Sequence, residues 1–114
     1  MGNVVYEKSF AYALEILTLA EELTEKRKYS LASQVIRSGT SIGANIAESE
    51  YAQSNADFVA KMSIALKEAS ESRYWLRLMK ASGNIADEKS GQLLRDIDEI
   101  IRILAASIKT AKQK

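Results

Sequence analysis

Leu94, Ile97, Ile101, Leu104 and Ile108 recur at alternating spacings of three and four residues in a chain that contains no proline. That period is the α-helical one, and proline is the residue that would interrupt it, by removing a backbone donor and clashing with the preceding turn. The composition agrees: 46% hydrophobic, five glycines, and a predominance of residues that favour helix. The chain therefore reads as all-α with short connections, since a β-rich fold would need turn clusters that are missing. One domain over residues 1–114 is expected, with a modest core that partners would help to stabilise.

The same period places four helices at about 5–28, 30–53, 55–81 and 87–112. In the first, Tyr12, Ile16, Leu19 and Leu23 form one apolar stripe, and Phe10, Leu14 and Leu17 form another. Together they cover roughly 220° of the helix, whereas packing inside one small bundle needs little more than about 100°. The surplus predicts a second contact surface. The third helix is expected to start at Asn55 as its N-cap and to end at the turn signal Ser82-Gly83-Asn84. Its inner stripe is Phe58, Met62, Ala65, Ala69, Leu76 and Met79, with Ile64, Trp75 and Leu78 on another face. Trp75 is either a half-buried rim residue or an anchor for another subunit.

Neither histidine nor cysteine occurs, which removes imidazole bases, thiolate nucleophiles, disulfides and the usual zinc ligands together. No cofactor or metal is expected. Sixteen basic residues against fifteen acidic leave a formal charge of +1, so bulk electrostatics do not advertise nucleic-acid binding. No apolar run approaches the roughly 20 residues that span a bilayer, and the N-terminal stretch lacks the pattern of a secretion signal, so a soluble cytoplasmic protein is expected. Gly2 alone is weak support for myristoylation.

The segment Ser33–Ser49, SQVIRSGTSIGANIAES, holds two glycines and only two charges. As a loop it would lack the Lys-Ser/Thr that follows the glycines of a phosphate cradle, and no strand precedes it. As a helix it has three textures. Leu31, Val35, Ile42 and Ile46 form an apolar stripe. Ala32, Gly39, Thr40, Gly43, Ala44 and Ala47 form a face of small side chains. Gln34, Arg37, Ser38, Ser41, Asn45 and Glu48 fall within an arc of about 100°. Each interior glycine costs roughly 1 kcal/mol relative to alanine, so the pair predicts close packing against another helix. Arg37 and Glu48 lie about 16 Å apart along the axis and need partners elsewhere, with Glu68, Glu71, Arg73 and Arg77 available. The polar arc is a structural network, a ligand or RNA site, or a solvated stripe.

Several of these residues carry a family resemblance. Ser33, Gln34, Arg37, the run SIGANIAES over Ser41–Ser49, Phe58, the run IALKEASESRYWL over Ile64–Leu76 and the ending IIRILAASIKTAK over Ile100–Lys112 resemble the bacterial four helix bundle protein family. Its members are also called 23S rRNA intervening-sequence proteins, because some are encoded within insertions in large-subunit rRNA genes. The resemblance spans nearly the whole chain and departs at Ser49, where the family usually has glycine. It implies an antiparallel up-down four-helix bundle assembling as a ring-like homopentamer, without a characterised activity. A related protein, the accessory variability determinant of diversity-generating retroelements, is a similar but strongly basic pentamer that binds nucleic acid.

Three functions follow. The first is a non-enzymatic, homo-oligomeric assembly or interaction protein, in which Gln34, Arg37, Ser41, Asn45, Glu48 and Glu71 form a structural or interface network. The second is an RNA- or DNA-associated accessory protein using Lys61, Lys67, Arg73, Arg77 and Lys80. Those five do not share one helix face, which weakens a patch within a single subunit. The third, an enzyme, would rest on carboxylates alone, Glu48, Glu68 or Glu71, and helix-surface glutamates are usually solvated.

Overall fold

Four α-helices account for most of residues 3–114, the residues that the computed structural model describes: α1 Val4–Glu25, α2 Tyr29–Ser49, α3 Asn55–Ser82 and α4 Asp87–Lys112. Gly2 lies outside the described residues. The connections are short, and each helix packs antiparallel on the next. Residue 39 of α2 meets residue 16 of α1 while residue 43 meets residue 9. Arg37 and Glu48 of α2 meet Glu68 and Lys61 of α3 in reverse order, and Asn55 at the start of α3 donates to the carbonyl of Ala111 near the end of α4 at 2.8 Å. α4 returns beside α1, the sparsest of the four helix pairs. The result is a rod of 47 × 21 × 20 Å. No helix among the described residues is long and apolar enough to cross a membrane.

The core is the inward stripe of each helix. Tyr12, Ile16 and Leu23 of α1, Ile42 and Ile46 of α2, Leu76 and Met79 of α3, and Leu93, Ile97, Ile100 and Leu104 of α4 are all buried. Tyr12 also reaches across from α1 to α3, its hydroxyl 2.6 Å from Ser72 Oγ, and burial pushes its phenol well above the ordinary tyrosine range. The α4 seam is turned slightly from the expected one. Leu93 and Ile100 take the deepest places, and Leu94 and Ile101 are half-buried at its edge. A helix with adjacent apolar residues offers two seams of almost the same period, and packing against α1 and α3 selects between them.

Helix ends differ from the periodic expectation where local hydrogen bonding intervenes. α1 stops at Glu25 rather than near Lys28, because Arg27 takes a left-handed conformation, φ 61°. Its N–H then bonds Thr24 O, and the N–H of Lys28 bonds Leu23 O, the double hydrogen bond of a Schellman ending. α2 stops at Ser49 rather than near residue 53. Ser49 Oγ donates to Ile46 O at 2.6 Å, and tight turns continue to Ala52. The α3 N-cap is Ser54, not Asn55: Ser54 Oγ accepts the Asp57 N–H at 3.0 Å. Asn55 is the first helical residue, and its side chain is used on α4 instead.

Candidate interaction site on α2 and α3

The segment Ser33–Ser49 is continuous helix, and its textures face different neighbours. The apolar stripe enters the core. The small face meets α1: a Cβ built on Gly39 would lie 2.8 Å from Ile16 Cγ2, whereas one built on Gly43 would meet Ser9 at 3.7 Å. Ser9, opposite Gly43, is fully buried with its hydroxyl unpaired.

The polar arc lies along the seam with α3, at the edge of solvent. Arg37 is its hub. One guanidinium nitrogen donates to Glu68 Oε1 at 3.2 Å, and the other donates to Gln34 Oε1 at 3.0 Å and pairs with Glu71 Oε2. Trp75 Nε1 donates to the same Glu71 oxygen at 3.0 Å. The Arg37 side chain is 49% exposed, against 16% for Glu68 and 32% for Glu71, so a half-open cation covers two more sheltered carboxylates. A planar guanidinium suits this fork, and charge-assisted bonds to two acids hold α2 on α3 more firmly than one exposed pair, typically worth about 0–1 kcal/mol. One positive group faces two negative ones, which leaves the cluster locally acidic.

Further along the arc the bonds become local. Ser41 Oγ donates to Arg37 O at 2.5 Å, Asn45 Nδ2 to Ser41 O at 2.8 Å, and the buried Ser38 Oγ to Gln34 O at 2.9 Å. Glu48 pairs with Lys61 at 3.2 Å, not with Arg73 or Arg77. Apart from the buried Ser38, the arc is thus neither core nor free stripe. The Trp75 bond to Glu71 escaped the sequence reading, although its i,i+4 spacing was a signal for it.

Two of the five basic residues of α3 are engaged by the helices on its flanks. Lys61 is taken up by Glu48 of α2, and Arg73 Nε lies 2.7 Å from Asp98 of α4, as a charge contact without hydrogen-bond alignment. Lys67, Arg77 and Lys80 are exposed and make no ion pair among the described residues. Arg77 lines an open groove with Ser70, Arg73, Tyr74, Leu78 and Ala81.

A second polar cluster ties α1 to α4. Lys89 and Gln92 donate to Glu15 at 2.6 and 2.8 Å, and Lys8 pairs with Glu99 at 3.1 Å. Burial acts to raise the Glu15 carboxyl, but the bonds from Lys89 and Gln92 outweigh it and hold it below the ordinary carboxylate range. Asp96 beside it is raised, by burial and then by the Glu15 charge. Among the described residues no group of three or more acidic side chains is placed to hold a metal ion.

Several large apolar side chains stay outside both core and network. Phe10, Leu14 and Leu17 of α1 are 53%, 54% and 41% exposed. Ile64, Tyr74 and Leu78 of α3 are also exposed.

The model of the 23S rRNA-intervening sequence protein family matches residues 2–106. The chain is also similar to a crystal structure from Bacteroides thetaiotaomicron, a protein of unknown function from the S23 ribosomal protein family. Identity is 44%, the TM-score is 0.89, and the match covers 92% of this chain and 98% of the other. Curated proteins offer no match.

Proposed function

The chain belongs to the 23S rRNA-intervening sequence protein family, and from that premise we propose that it is a non-enzymatic cytoplasmic assembly module, a four-helix bundle that associates with copies of itself into a ring. The family resemblance carried by the α2 motif implies five copies. The observation that supports self-association is the outer face of α1, where Phe10, Leu14 and Leu17 stand exposed on one stripe. Contiguous apolar patches on monomeric proteins are small, and larger ones mark interaction sites. In this reading Gln34, Arg37, Ser41, Asn45, Glu48 and Glu71 stiffen the α2–α3 seam that the assembly is built on. Glu48, Glu68 and Glu71 are engaged by Lys61 and Arg37 and serve as structural acids. Light scattering after gel filtration at micromolar concentration is expected to give a mass several times the 12.6 kDa of one chain. A stable monomer would overturn the proposal.

A second reading, an RNA- or DNA-associated accessory protein, draws on Lys67, Arg77 and Lys80, which make no ion pair among the described residues. Lys61 and Arg73, the other two candidates, are paired with Glu48 and Asp98. Phosphate contacts release counterions, so such binding must weaken steeply with salt. Fluorescence anisotropy with a single-stranded RNA at low and high salt separates the readings, and absence of binding at low salt would remove the second.

A further inference from the structure

The exposed apolar stripes of α1 and α3 differ in one respect, the charge around them. On α1, Phe10, Leu14 and Leu17 lie between Glu7 and Glu21, both exposed and outside every ion pair among the described residues. On α3, Ile64, Tyr74 and Leu78 are accompanied by Lys67 and Arg77, equally exposed and unpaired. The free charges of the first stripe are acids and those of the second are bases, since Glu68 and Glu71 on the α3 side are taken up by Arg37. The acids Glu7 and Glu21 stand fourteen residues apart and the bases Lys67 and Arg77 ten, roughly 21 and 15 Å of helix.

We infer that copies of this chain meet heterologously, the outer face of α1 in one subunit seating against the outer face of α3 in the next. This rests on the self-association proposed above and specifies its surface. Pairing like with like is disfavoured: two α1 faces would bring Glu7 and Glu21 against the same acids, and two α3 faces would oppose Lys67 and Arg77 to themselves. Pairing α1 with α3 buries both apolar stripes and sets unpaired acids against unpaired bases. A heterologous contact leaves one free face at each end, so it propagates until it closes or forms a filament. Both stripes lean toward α2, because Leu17 shares a groove with Ile36, and Trp75, next to Tyr74, bonds the Glu71 that pairs with Arg37. The two contact directions therefore diverge by less than a half-turn. That curves successive subunits toward closure, with α2 and its polar row on the inner side.

The test uses two variants of the full chain, Leu14→Lys on the α1 face and Leu78→Glu on the α3 face, each at an exposed position. Light scattering is expected to show each variant alone as a monomer, because every contact would need its damaged face. An equimolar mixture is expected to form a heterodimer of twice the chain mass, since each variant retains the face that the other has lost. Far-UV circular dichroism must match the wild type. Should either variant lose helix, Leu14→Ser and Leu78→Ser replace them. If Leu78→Glu alone still assembles while Leu14→Lys does not, the contact joins two α1 faces, and the inference fails while self-association stands. Wild-type mass for both variants, or no heterodimer from folded monomers, also overturns it. A wild-type assembly that dissolves on nuclease treatment would mean nucleic acid bridges the copies. A monomeric wild type would instead overturn the self-association on which the inference rests.

Discussion

Gly39 and Gly43 look equivalent in the sequence, and their surroundings make them opposites. At Gly39 an added Cβ would lie 2.8 and 3.0 Å from the two γ carbons of Ile16 and 3.3 Å from its Cβ. Ile16 is fully buried and branched at Cβ, so it has little room to yield. At Gly43 the nearest atom is Ser9 Cβ at 3.7 Å, an ordinary contact. Alanine in place of helical glycine gains roughly 1 kcal/mol of propensity, whereas overpacking a core costs about 1–3 kcal/mol. Gly39→Ala is therefore expected to destabilise by up to about 2 kcal/mol, and Gly43→Ala to be neutral or stabilising by up to about 1 kcal/mol. Urea midpoints at unchanged slope would show it, and equal costs at both sites would refute this account of the small face. The four-residue spacing announces close packing. Which glycine is indispensable depends on an atom of another helix.

Two of the helices end in the same way with different residues. α3 closes on Gly83 at φ 77°, with the N–H of Asn84 bonded to Met79 O and that of Gly83 to Lys80 O. α1 repeats the pattern with Arg27 in the left-handed position, where a side chain costs about 1–2 kcal/mol. That is why Ser82-Gly83-Asn84 was legible as a stop and the end of α1 was not: the sequence there has no glycine, and three basic residues read as a continuing helix. Arg27→Gly should relieve the strain, less the entropy that glycine adds to the unfolded chain. A gain of about 0.5–1 kcal/mol is expected from chemical denaturation, and a loss would show that the Arg27 side chain makes a compensating contact. The α4 seam shows the same limit on legibility. Its period was plain, but the choice of Leu93 and Ile100 over Leu94 and Ile101 was settled by the helices on either side.

Across the whole molecule, the bundle buries its core and leaves two charged apolar stripes uncovered on α1 and α3. If copies cover them, folding is linked to association, and anything that binds only the folded form raises apparent stability with concentration. The melting temperature is then expected to rise over a hundredfold increase in protein concentration and to become concentration-independent in a variant whose α1 face is blocked, such as Leu14→Lys. A wild-type melting temperature that does not move with concentration would count against linked assembly.

The sequence by itself determined that the chain is helical, roughly where its four helices lie, and that α2 carries three distinct faces. These are matters of local propensity and of a 3.6-residue period that each helix expresses alone. It also marked the surplus apolar face of α1, because too wide an apolar arc is visible before any neighbour is known. Only the tertiary structure decided that Arg37 reaches Glu68 and Glu71 while Glu48 turns to Lys61, and that Lys61 and Arg73 are paired while Lys67, Arg77 and Lys80 make no ion pair among the described residues. Those pairings join residues far apart in the chain, and they depend on how one helix is rotated and slid against another, which no single-helix period records.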